Sequence, residues 1–203
     1  RIGKVMHAEP QVQESGEEDT PEGFEPKVEF RSLTFQYDGT DRPQLSQIDL
    51  TIPPGKTLGI VGPVGSGKST LVHLLARLYP VERGMIFFGG KDINDWPTEE
   101  VRRRIAFVFQ ESFLFSDTID WNIRFGADNT PQDRVESVAH QASVHEDILE
   151  TPHRYDTILG ERGVNLSGGQ KQRLALARAL LRSADVLILD DTLSAVDTHT
   201  EEA

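Results

Sequence analysis

The chain has 203 residues, 37% of them hydrophobic, and a formal net charge of −12. This length fits a single domain, and the acidic balance argues against general nucleic-acid binding, which requires a basic face. The absence of cysteine fits a reducing compartment, no signal peptide is visible, and no apolar run approaches the roughly 20 residues of a membrane helix. Because the sequence starts with Arg1 rather than methionine, we expect it to be a fragment of a longer protein.

The first 26 residues are rich in Glu, Gln and Pro, a composition that predicts a disordered linker. Beyond them, alternating apolar residues predict two antiparallel strands, one over 28–35 with a one-residue slip and one over 48–52. Tyr37 stands at the end of the first strand, where an aromatic side chain can serve packing or contact a ligand.

The most specific motif lies within residues 57–70. Apolar residues in 58–61 predict a buried strand, and residues 71–78 predict a helix. Between them stands the spacing G-x-x-x-x-G-K-[ST], which is typical of a P-loop that binds a nucleoside triphosphate. The residues of this loop are Gly62, Pro63, Val64, Gly65, Ser66, Gly67, Lys68, Ser69 and Thr70.

Each part of this loop has a chemical purpose. Glycines let the backbone turn tightly and approach a ligand without an intervening Cβ. The N–H groups of the loop and of the helix N-terminus present fixed partial positive charge to a phosphate chain. Lys68 adds a full positive charge near the β- and γ-phosphates, and the hydroxyl of Ser69 can bind Mg²⁺.

A further strand is predicted over 84–90, and a short helix that begins at Pro97 carries the basic run 102–104 as a solvated face. The β-forming run 105–109 then ends at Gln110. Ligand groups collect at the carboxyl ends of buried strands in α/β sheets. The side chain of Gln110 is therefore either a ligand group or an ordinary strand-end residue.

Residues 111–165 carry few strand signals and predict an inserted helical subdomain. Apolar residues at helical spacing follow a helix-start signal at Thr130. The histidines of this block show no metal-ligand spacing and are predicted to be surface residues: His140, His145 and His153.

A second glycine-rich turn, LSGGQ at residues 166–170, opens a helix over residues 171–181. A hydroxyl, free N–H groups and the positive end of a helix dipole favour an anion there, although no lysine is part of the motif. Residues 186–189 predict a buried strand that ends in Asp190 and Asp191. Such a strand downstream of a P-loop resembles a Walker B segment, whose aspartate, here Asp190, holds Mg²⁺.

The P-loop, the strand-end Gln, LSGGQ and the strand-end Asp, in this order and spacing, resemble the nucleotide-binding domain of an ABC transporter over residues 27–202. The resemblance implies an α/β fold: a P-loop NTPase (RecA-like) core with an N-terminal antiparallel β subdomain and an inserted α-helical subdomain, its C-terminal part truncated. The resemblance implies a linker after a membrane domain (1–26), followed by the nucleotide-binding domain (27–203). That domain comprises the β subdomain with the P-loop core (27–110), the helical subdomain (111–165), and the signature helix with the Walker B core (166–203).

The resemblance also implies a role for each site residue. Tyr37 would stack on the adenine of ATP, and Lys68 would bind its phosphates. Gln110 would contact both Mg²⁺ and the attacking water, and Ser69 and Asp190 would supply further ligands to Mg²⁺.

Two segments, 116–123 and 159–163, resemble those of exporters, and 194–197 resembles the family's D-loop. In this family two nucleotide-binding domains dimerise head to tail, so that each ATP lies between one P-loop and the partner's signature. The residues offered to the partner's ATP would be Ser167, Gly168, Gly169 and Gln170. The implied assembly joins this chain to a second nucleotide-binding domain and to a transmembrane domain, at the cytoplasmic face of the cell membrane, without nucleic acid.

Asp191 departs from the family pattern, in which Glu follows the Walker B Asp and polarises the attacking water. One methylene less withdraws the carboxylate by roughly 1 Å, and a displacement of that size can cost about 10²-fold in rate. Asp at this position resembles the impaired half of heterodimeric multidrug exporters, whose partner keeps its Glu. We therefore expect a heterodimer subunit with a slow site of its own, and a slower symmetric homodimer is the alternative.

The family's switch histidine is expected beyond Ala203, because His199 stands too close to the D-loop to replace it. The fragment alone is therefore expected to hydrolyse ATP weakly or not at all. Two other functions fit the motifs: a non-transport ABC ATPase of DNA repair or translation, and a regulatory module that binds ATP without useful hydrolysis. The exporter-like loops, and the absence of coiled-coil or cysteine modules between the motifs, favour transport.

Overall fold

The computed structural model describes residues 12, 23–163 and 165–190, without the side chain of Arg162. The chain divides into two compact units, residues 1–104 and residues 105–203. The P-loop belongs to the first unit, whereas Gln110, LSGGQ and the Walker B strand belong to the second. Within the described ranges, no helix combines the length and the apolar character needed to cross a membrane.

The first unit is built on a four-stranded antiparallel sheet with the spatial order β2-β1-β3-β4. Its strands are β1 (Val28–Phe35), β2 (Leu45–Ile52), β3 (Ile86–Phe88) and β4 (Lys91–Asp92). The register between β1 and β2 shifts on both sides of Leu33. Near this irregularity the Ser32 N–H donates to Asp49 Oδ1 over 2.7 Å. The predicted antiparallel pair and its slip are thus confirmed.

The α-helices in the described part of the first unit are α1 (Lys68–Leu75) and α2 (Thr98–Arg104). The basic end of α2 is exposed at Arg102 and Arg103, as the sequence predicts, but not at Arg104. Arg102 donates hydrogen bonds to the carbonyl oxygens of Ala76 and Arg77 just beyond α1, at 3.4 and 2.9 Å. The side chain of Arg104 is only 13% exposed and pairs with Glu100 at 2.8 Å. Arg102 thus joins the two helices, because carbonyl groups at a helix end need donors from elsewhere, whereas the Arg104–Glu100 pair lies within α2.

The segment before β1 also packs on this unit. The ring of Phe24 lies edge-on to Phe88 and Trp96, with centroid distances of 5.4 and 5.7 Å, and the Arg104 guanidinium lies 4.2 Å from the centroid of Phe24. Most of the linker predicted for residues 1–26 falls outside the described residues, and the packing of Phe24 within it has no counterpart in the sequence prediction.

Among its described residues, the second unit combines a parallel two-stranded sheet with four α-helices. The strands are β5 (Ile105–Val108) and β6 (Val186–Leu189), and the helices are α3 (Ile119–Arg124), α4 (Gln132–Gln141), α5 (His145–Leu149) and α6 (Gly168–Leu181). Helix α6 packs against α3, α4 and β5, which makes it the centre of the unit. The predicted mixed α/β class, with an antiparallel β subdomain, is confirmed.

Two predictions of burial are wrong. Residues 57–63 form no strand, and the side chains of Leu58, Ile60 and Val61 are 40%, 39% and 94% exposed. In β6 only Ile188 is buried, and its neighbours in the strand are at least partly exposed. A parallel strand becomes buried when neighbours pair with both of its edges and layers cover both of its faces. Among the described strands, none pairs with residues 57–63, and β6 pairs with β5 alone.

Candidate nucleotide-binding site

The P-loop adopts a backbone that requires glycine. Gly65 and Gly67 have φ angles of 81° and 94°, in the left-handed region that disfavours other residues. A Cβ on Gly67 would lie 2.8 Å from Leu45 Cδ2 and 3.0 Å from the Gln44 carbonyl oxygen. A Cβ on Gly62 would lie 2.8 Å from the hydroxyl oxygen of a serine within the loop. The loop therefore forms a narrow turn that closes on itself and on the start of β2.

Lys68 is the first residue of α1, and its side chain folds back into the loop. The ammonium group donates to the carbonyl oxygens of Gly62 and Pro63 over 2.8 and 3.1 Å. The Gln44 side-chain amide donates to the Gly65 carbonyl oxygen over 2.7 Å and holds the opposite side of the turn. Since Gly67 precedes the helix and has no side chain to cap it, the N–H groups of the first turn suit an anion. Loop and lysine together thus fit a phosphate chain.

The end of the P-loop is joined to Tyr37. The Thr70 hydroxyl, in the first turn of α1, lies 3.0 Å from the Tyr37 hydroxyl and is buried. Ser69, the residue predicted to bind Mg²⁺, occupies the same first turn. Val64, at the tip of the loop, is fully exposed. The structure thus brings together two parts of the predicted site that stand 33 positions apart in the sequence.

Tyr37 also lines a cavity of about 610 Å³ in the first unit. Its ring stands edge-on to those of Phe35 and Tyr79, at centroid distances of 4.9 and 5.1 Å. The remaining wall comes from residues 34–38 and 79–82. The aromatic rings in this wall suit a flat ligand, and polar or charged side chains stand beside them: Thr34, Gln36, Asp38 and Glu82.

In the second unit, Gln110 and Asp190 follow strands that end side by side. Strands β5 and β6 run parallel and pair Val108 with Leu189. The register continues one step further, since the Asp190 N–H donates to the Val108 carbonyl oxygen over 3.0 Å. Gln110 is exposed just beyond this edge. Asp191, the D-loop and His199 lie outside the described residues.

The LSGGQ turn is a fully formed helix cap. The Ser167 hydroxyl accepts a hydrogen bond from the Gln170 N–H over 3.2 Å, and the Gln170 side chain accepts one from the Ser167 N–H over 3.0 Å. This reciprocal arrangement starts α6 at Gly168, three residues before the predicted start. A Cβ on Gly168 would meet no atom within 4 Å, so the face of the turn at that glycine is open.

A carboxylate of α5 anchors this turn. Asp147 accepts a hydrogen bond from the Gln170 side-chain amide over 3.2 Å and pairs with Arg173 at 2.7 Å. The two contacts fix the first two turns of α6 against α5. The hydrogen bonds of Gln170 thus hold the motif in place from two sides, and the adjacent glycines remain as the part of the motif that can approach a ligand.

Arg178, near the other end of α6, secures the segment that follows Gln110. It donates to the carbonyl oxygens of Phe113 and Asn122 over 3.0 and 2.7 Å, and to the Asn122 side chain over 3.0 Å. Burial lowers the pKa of Arg178 to about 10, so the guanidinium remains charged at neutral pH. The fully buried Asn122 in turn donates to the Phe115 and Thr118 carbonyl oxygens, each over 3.0 Å.

Sequence reasoning missed four side chains that shape these parts of the site: Gln44, Tyr79, Asp147 and Arg178. Tyr79 had a local signal, because it stands directly before the helix-breaking Pro80, although α1 already ends at Leu75. The others act on partners between 21 and 65 positions away, a separation at which no periodic pattern carries information.

Comparison with known proteins decides the family. The family model described as "ABC transporter" matches residues 45–194. The chain belongs to the ABC transporter family. The matched range includes the P-loop, Gln110, LSGGQ and the Walker B strand, and the fold is accordingly that of an ABC ATPase domain.

Several curated proteins and a solved structure are similar to this ABC chain. The uncharacterised ABC transporter ATP-binding protein YfiB of Bacillus subtilis (strain 168) is 44% identical over 201 residues, which are 99% of this chain and 35% of YfiB. The multidrug resistance-like ATP-binding protein MdlA of Escherichia coli (strain K12) is 48% identical over 198 residues, 98% of this chain and 33% of MdlA. The structure of a bacterial Atm1-family ABC exporter with ATP bound matches with a TM-score of 0.92 at 36% identity, over 99% of this chain and 35% of the exporter chain. The chain thus spans about a third of the length of these relatives.

Proposed function

We propose that the chain is the ATP-binding part of an ABC exporter subunit, in which ATP drives closure of a dimer and thereby export across a membrane. The observation that carries this proposal is the loop at residues 62–69, which encloses Lys68 and opens directly into α1. Relatives named as a multidrug-type ATP-binding protein and as an Atm1-family exporter support export as the purpose of ATP binding. The chain would then work at the cytoplasmic face of the membrane, beside a transmembrane domain.

Each site residue has a binding role that follows from its functional group. Lys68 and the N–H groups of the loop bind the phosphates, because they supply positive charge at short range. Hydroxyl, amide and carboxylate oxygens of Ser69, Gln110 and Asp190 suit Mg²⁺, which prefers oxygen ligands. When bound, Mg²⁺ neutralises charge that develops on the phosphates. Tyr37 stacks on adenine, and its ring is held at the cavity wall by Phe35 and by the hydroxyl contact with α1.

The LSGGQ turn serves a different ATP from the one that the P-loop of the same chain binds. Its capped helix start carries the positive end of a helix dipole and an open glycine face, but no lysine. Such an arrangement can complete a phosphate site that another polypeptide has already provided with a lysine. We therefore propose a dimer in which this turn contacts the ATP that the partner's P-loop holds.

Asp191 makes the chain's own site slow within that dimer. Its side chain is one methylene shorter than that of the Glu expected after the Walker B Asp, which withdraws the carboxylate from the attacking water by roughly 1 Å. A displacement of that size can cost about 10²-fold in rate. The partner that fits this chain carries Glu at that position, and its site accounts for most of the turnover. The subunit is therefore proposed to form a heterodimer.

The ATPase activity of the assembled transporter tests this proposal. We expect Asp191→Glu to raise turnover and removal of the partner's corresponding Glu to abolish most of it, whereas the matched control Asp128→Glu, in an exposed loop, leaves turnover unchanged. A fully active transporter made from this chain alone would contradict the heterodimer. ATP-dependent dimer closure without any turnover, even with Asp191→Glu, would instead identify a regulatory module.

A further inference from the structure

A three-residue connection brings two histidines of the helical subdomain face to face. His140 lies in the last turn of α4, and His145 is the first residue of α5. Between them Ser143 adopts a left-handed φ of 54°, and its N–H donates to the His140 carbonyl oxygen over 2.9 Å. The chain therefore reverses sharply, and the two imidazole rings stack with centroids 3.8 Å apart at an angle of 26°.

A carboxylate completes this pair. Glu146 follows His145 on α5, and one potential ligand atom from each of the three side chains lies within 4.8 Å of the others. His140 and Glu146 are exposed, and His145 is half-buried, so an ion can reach the group from solvent. We propose that His140, His145 and Glu146 form a binding site for a divalent transition-metal ion of the Zn²⁺ type.

The ligand chemistry selects the class of metal. Two imidazole nitrogens and one carboxylate oxygen suit Zn²⁺, Co²⁺, Ni²⁺ or Cu²⁺, whereas Mg²⁺ and Ca²⁺ prefer oxygen ligands alone. Metal–nitrogen bonds of about 2.0 to 2.1 Å at a tetrahedral angle place two nitrogens about 3.3 Å apart. Because the two rings stack nearly parallel, their nitrogen lone pairs point side by side, and the exposed His140 ring must turn out of the stack to share an ion with His145 and Glu146. Three protein ligands leave a fourth position for water.

The surroundings of His145 favour such a role. Its Nδ1 lies 2.8 Å from the hydroxyl of Tyr155, and in the tautomer whose Nδ1–H donates to that hydroxyl, Nε2 has the lone pair that can bind a metal. Burial raises the pKa of Tyr155 to about 12, so the phenol is neutral at physiological pH. Histidine ligands of metals commonly have their second nitrogen hydrogen-bonded in this way, which fixes the orientation of the ring.

The site also adjoins the support of the LSGGQ turn. The residue after Glu146 is Asp147, whose carboxylate binds Gln170 and Arg173. A metal held by one residue of α4 and two of α5 would tie these helices together beside that contact. Metal binding at these three side chains does not depend on ATP chemistry. It would give the chain a second class of ligand beside the nucleotide proposed for the P-loop.

Titration of the 203-residue chain with Co²⁺ tests the site, because tetrahedral Co²⁺ absorbs strongly in the visible range. Zn²⁺ then displaces the bound Co²⁺, and the loss of absorbance gives the Zn²⁺ affinity. We expect one equivalent of Co²⁺ to bind, Mg²⁺ in excess to leave the signal unchanged, and Zn²⁺ to raise the melting temperature. His140→Ala and Glu146→Gln, at exposed positions, should each weaken binding by roughly tenfold or more.

The matched control is His153→Ala, since His153 is exposed in the same subdomain but lies outside the cluster. We expect it to bind Co²⁺ as the unaltered chain does. Melting curves without metal establish that the variants are folded. The absence of stoichiometric binding, or binding that His140→Ala and Glu146→Gln leave unchanged, would show that the stacked histidines are only a surface pair.

Discussion

Gly67 determines, at the scale of single residues, how the P-loop enters its helix. Its φ of 94° is unfavourable for any residue with a side chain, and β2 closes the space where a Cβ would stand. Both constraints act on the residue directly before Lys68. The position of the lysine therefore depends on a glycine that has no chemistry of its own.

Replacing Gly67 tests this dependence. Gly67→Ala combines left-handed strain with a contact of 3.0 Å to the Gln44 carbonyl oxygen, and we expect a loss of about 2 to 4 kcal/mol in the free energy of unfolding. Weaker ATP binding should accompany it. Gly59→Ala is the control, because a Cβ there meets no atom within 4 Å. Urea unfolding of both variants is the measurement, and equal stabilities would contradict the assigned role of Gly67.

Tyr155 provides a pH-dependent element of stability. Burial raises its pKa from 10.0 to about 12, and the charges of Glu136 and Asp120 add to the effect. The folded state therefore favours the protonated phenol. Its contribution to stability is fully present below the unfolded-state pKa and is lost as the pH rises through the folded-state value, which places the loss between about pH 10 and pH 12.

Tyr155→Phe removes this titration. We expect the free energy of unfolding to fall less steeply with rising pH above about pH 10 in Tyr155→Phe than in the unaltered chain. Tyr79→Phe, which removes a phenol from the first unit, should leave the slope in place. Urea unfolding at a series of alkaline pH values is the measurement, and identical slopes for all three proteins would show that Tyr155 does not titrate as described.

Helix α6 is the element on which the second unit depends. Its first turn is the LSGGQ cap held by Asp147, and its last turns hold, through Arg178, the segment that follows Gln110. One rigid helix of 14 residues therefore connects two of the predicted functional motifs. A displacement of either end can be transmitted to the other, because packed helices move as units.

Asp147→Asn tests the anchoring of the signature turn. The change removes the charge that pairs with Arg173, whose side chain is only 15% exposed, and weakens the support of Gln170. In the assembled transporter we expect lower ATPase activity with unchanged ATP binding to this chain's own P-loop. Glu150→Gln, just beyond α5 and exposed, is the matched control. Full activity of Asp147→Asn would mean that the cap alone positions the motif.

Local sequence patterns predicted some of these elements but not others. The glycine-rich turn predicted that a helix follows it, although α6 starts three residues earlier than predicted, and alternation predicted β1 and β2, since both signals act between close neighbours in sequence. The apolar run before the P-loop did not predict the observed exposure, because burial depends on which strands pair with it. No local pattern predicted the His140–His145 contact, because a single left-handed residue, Ser143, between two helices creates it.

At the scale of the whole molecule, the chain consists of two compact units, and each contains different motifs of the predicted nucleotide site. The first unit contains the P-loop and the aromatic cavity, and the second contains the Walker B strand and the signature turn. The chain spans about a third of its relatives' length, and transport itself is a property we propose for the whole protein. ATP binding by the P-loop is the property on which every role proposed for the chain in transport rests.

Equilibrium binding of Mg·ATP to the chain, followed with a fluorescent ATP analogue and competition by unlabelled ATP, tests that claim most directly. We predict that Lys68→Ala weakens binding by roughly tenfold or more, because a charge-assisted contact with phosphate is lost. Lys56→Ala, at an exposed turn before the P-loop, should bind as the unaltered chain does. Unchanged affinity in Lys68→Ala, in a protein that remains folded, would contradict the account.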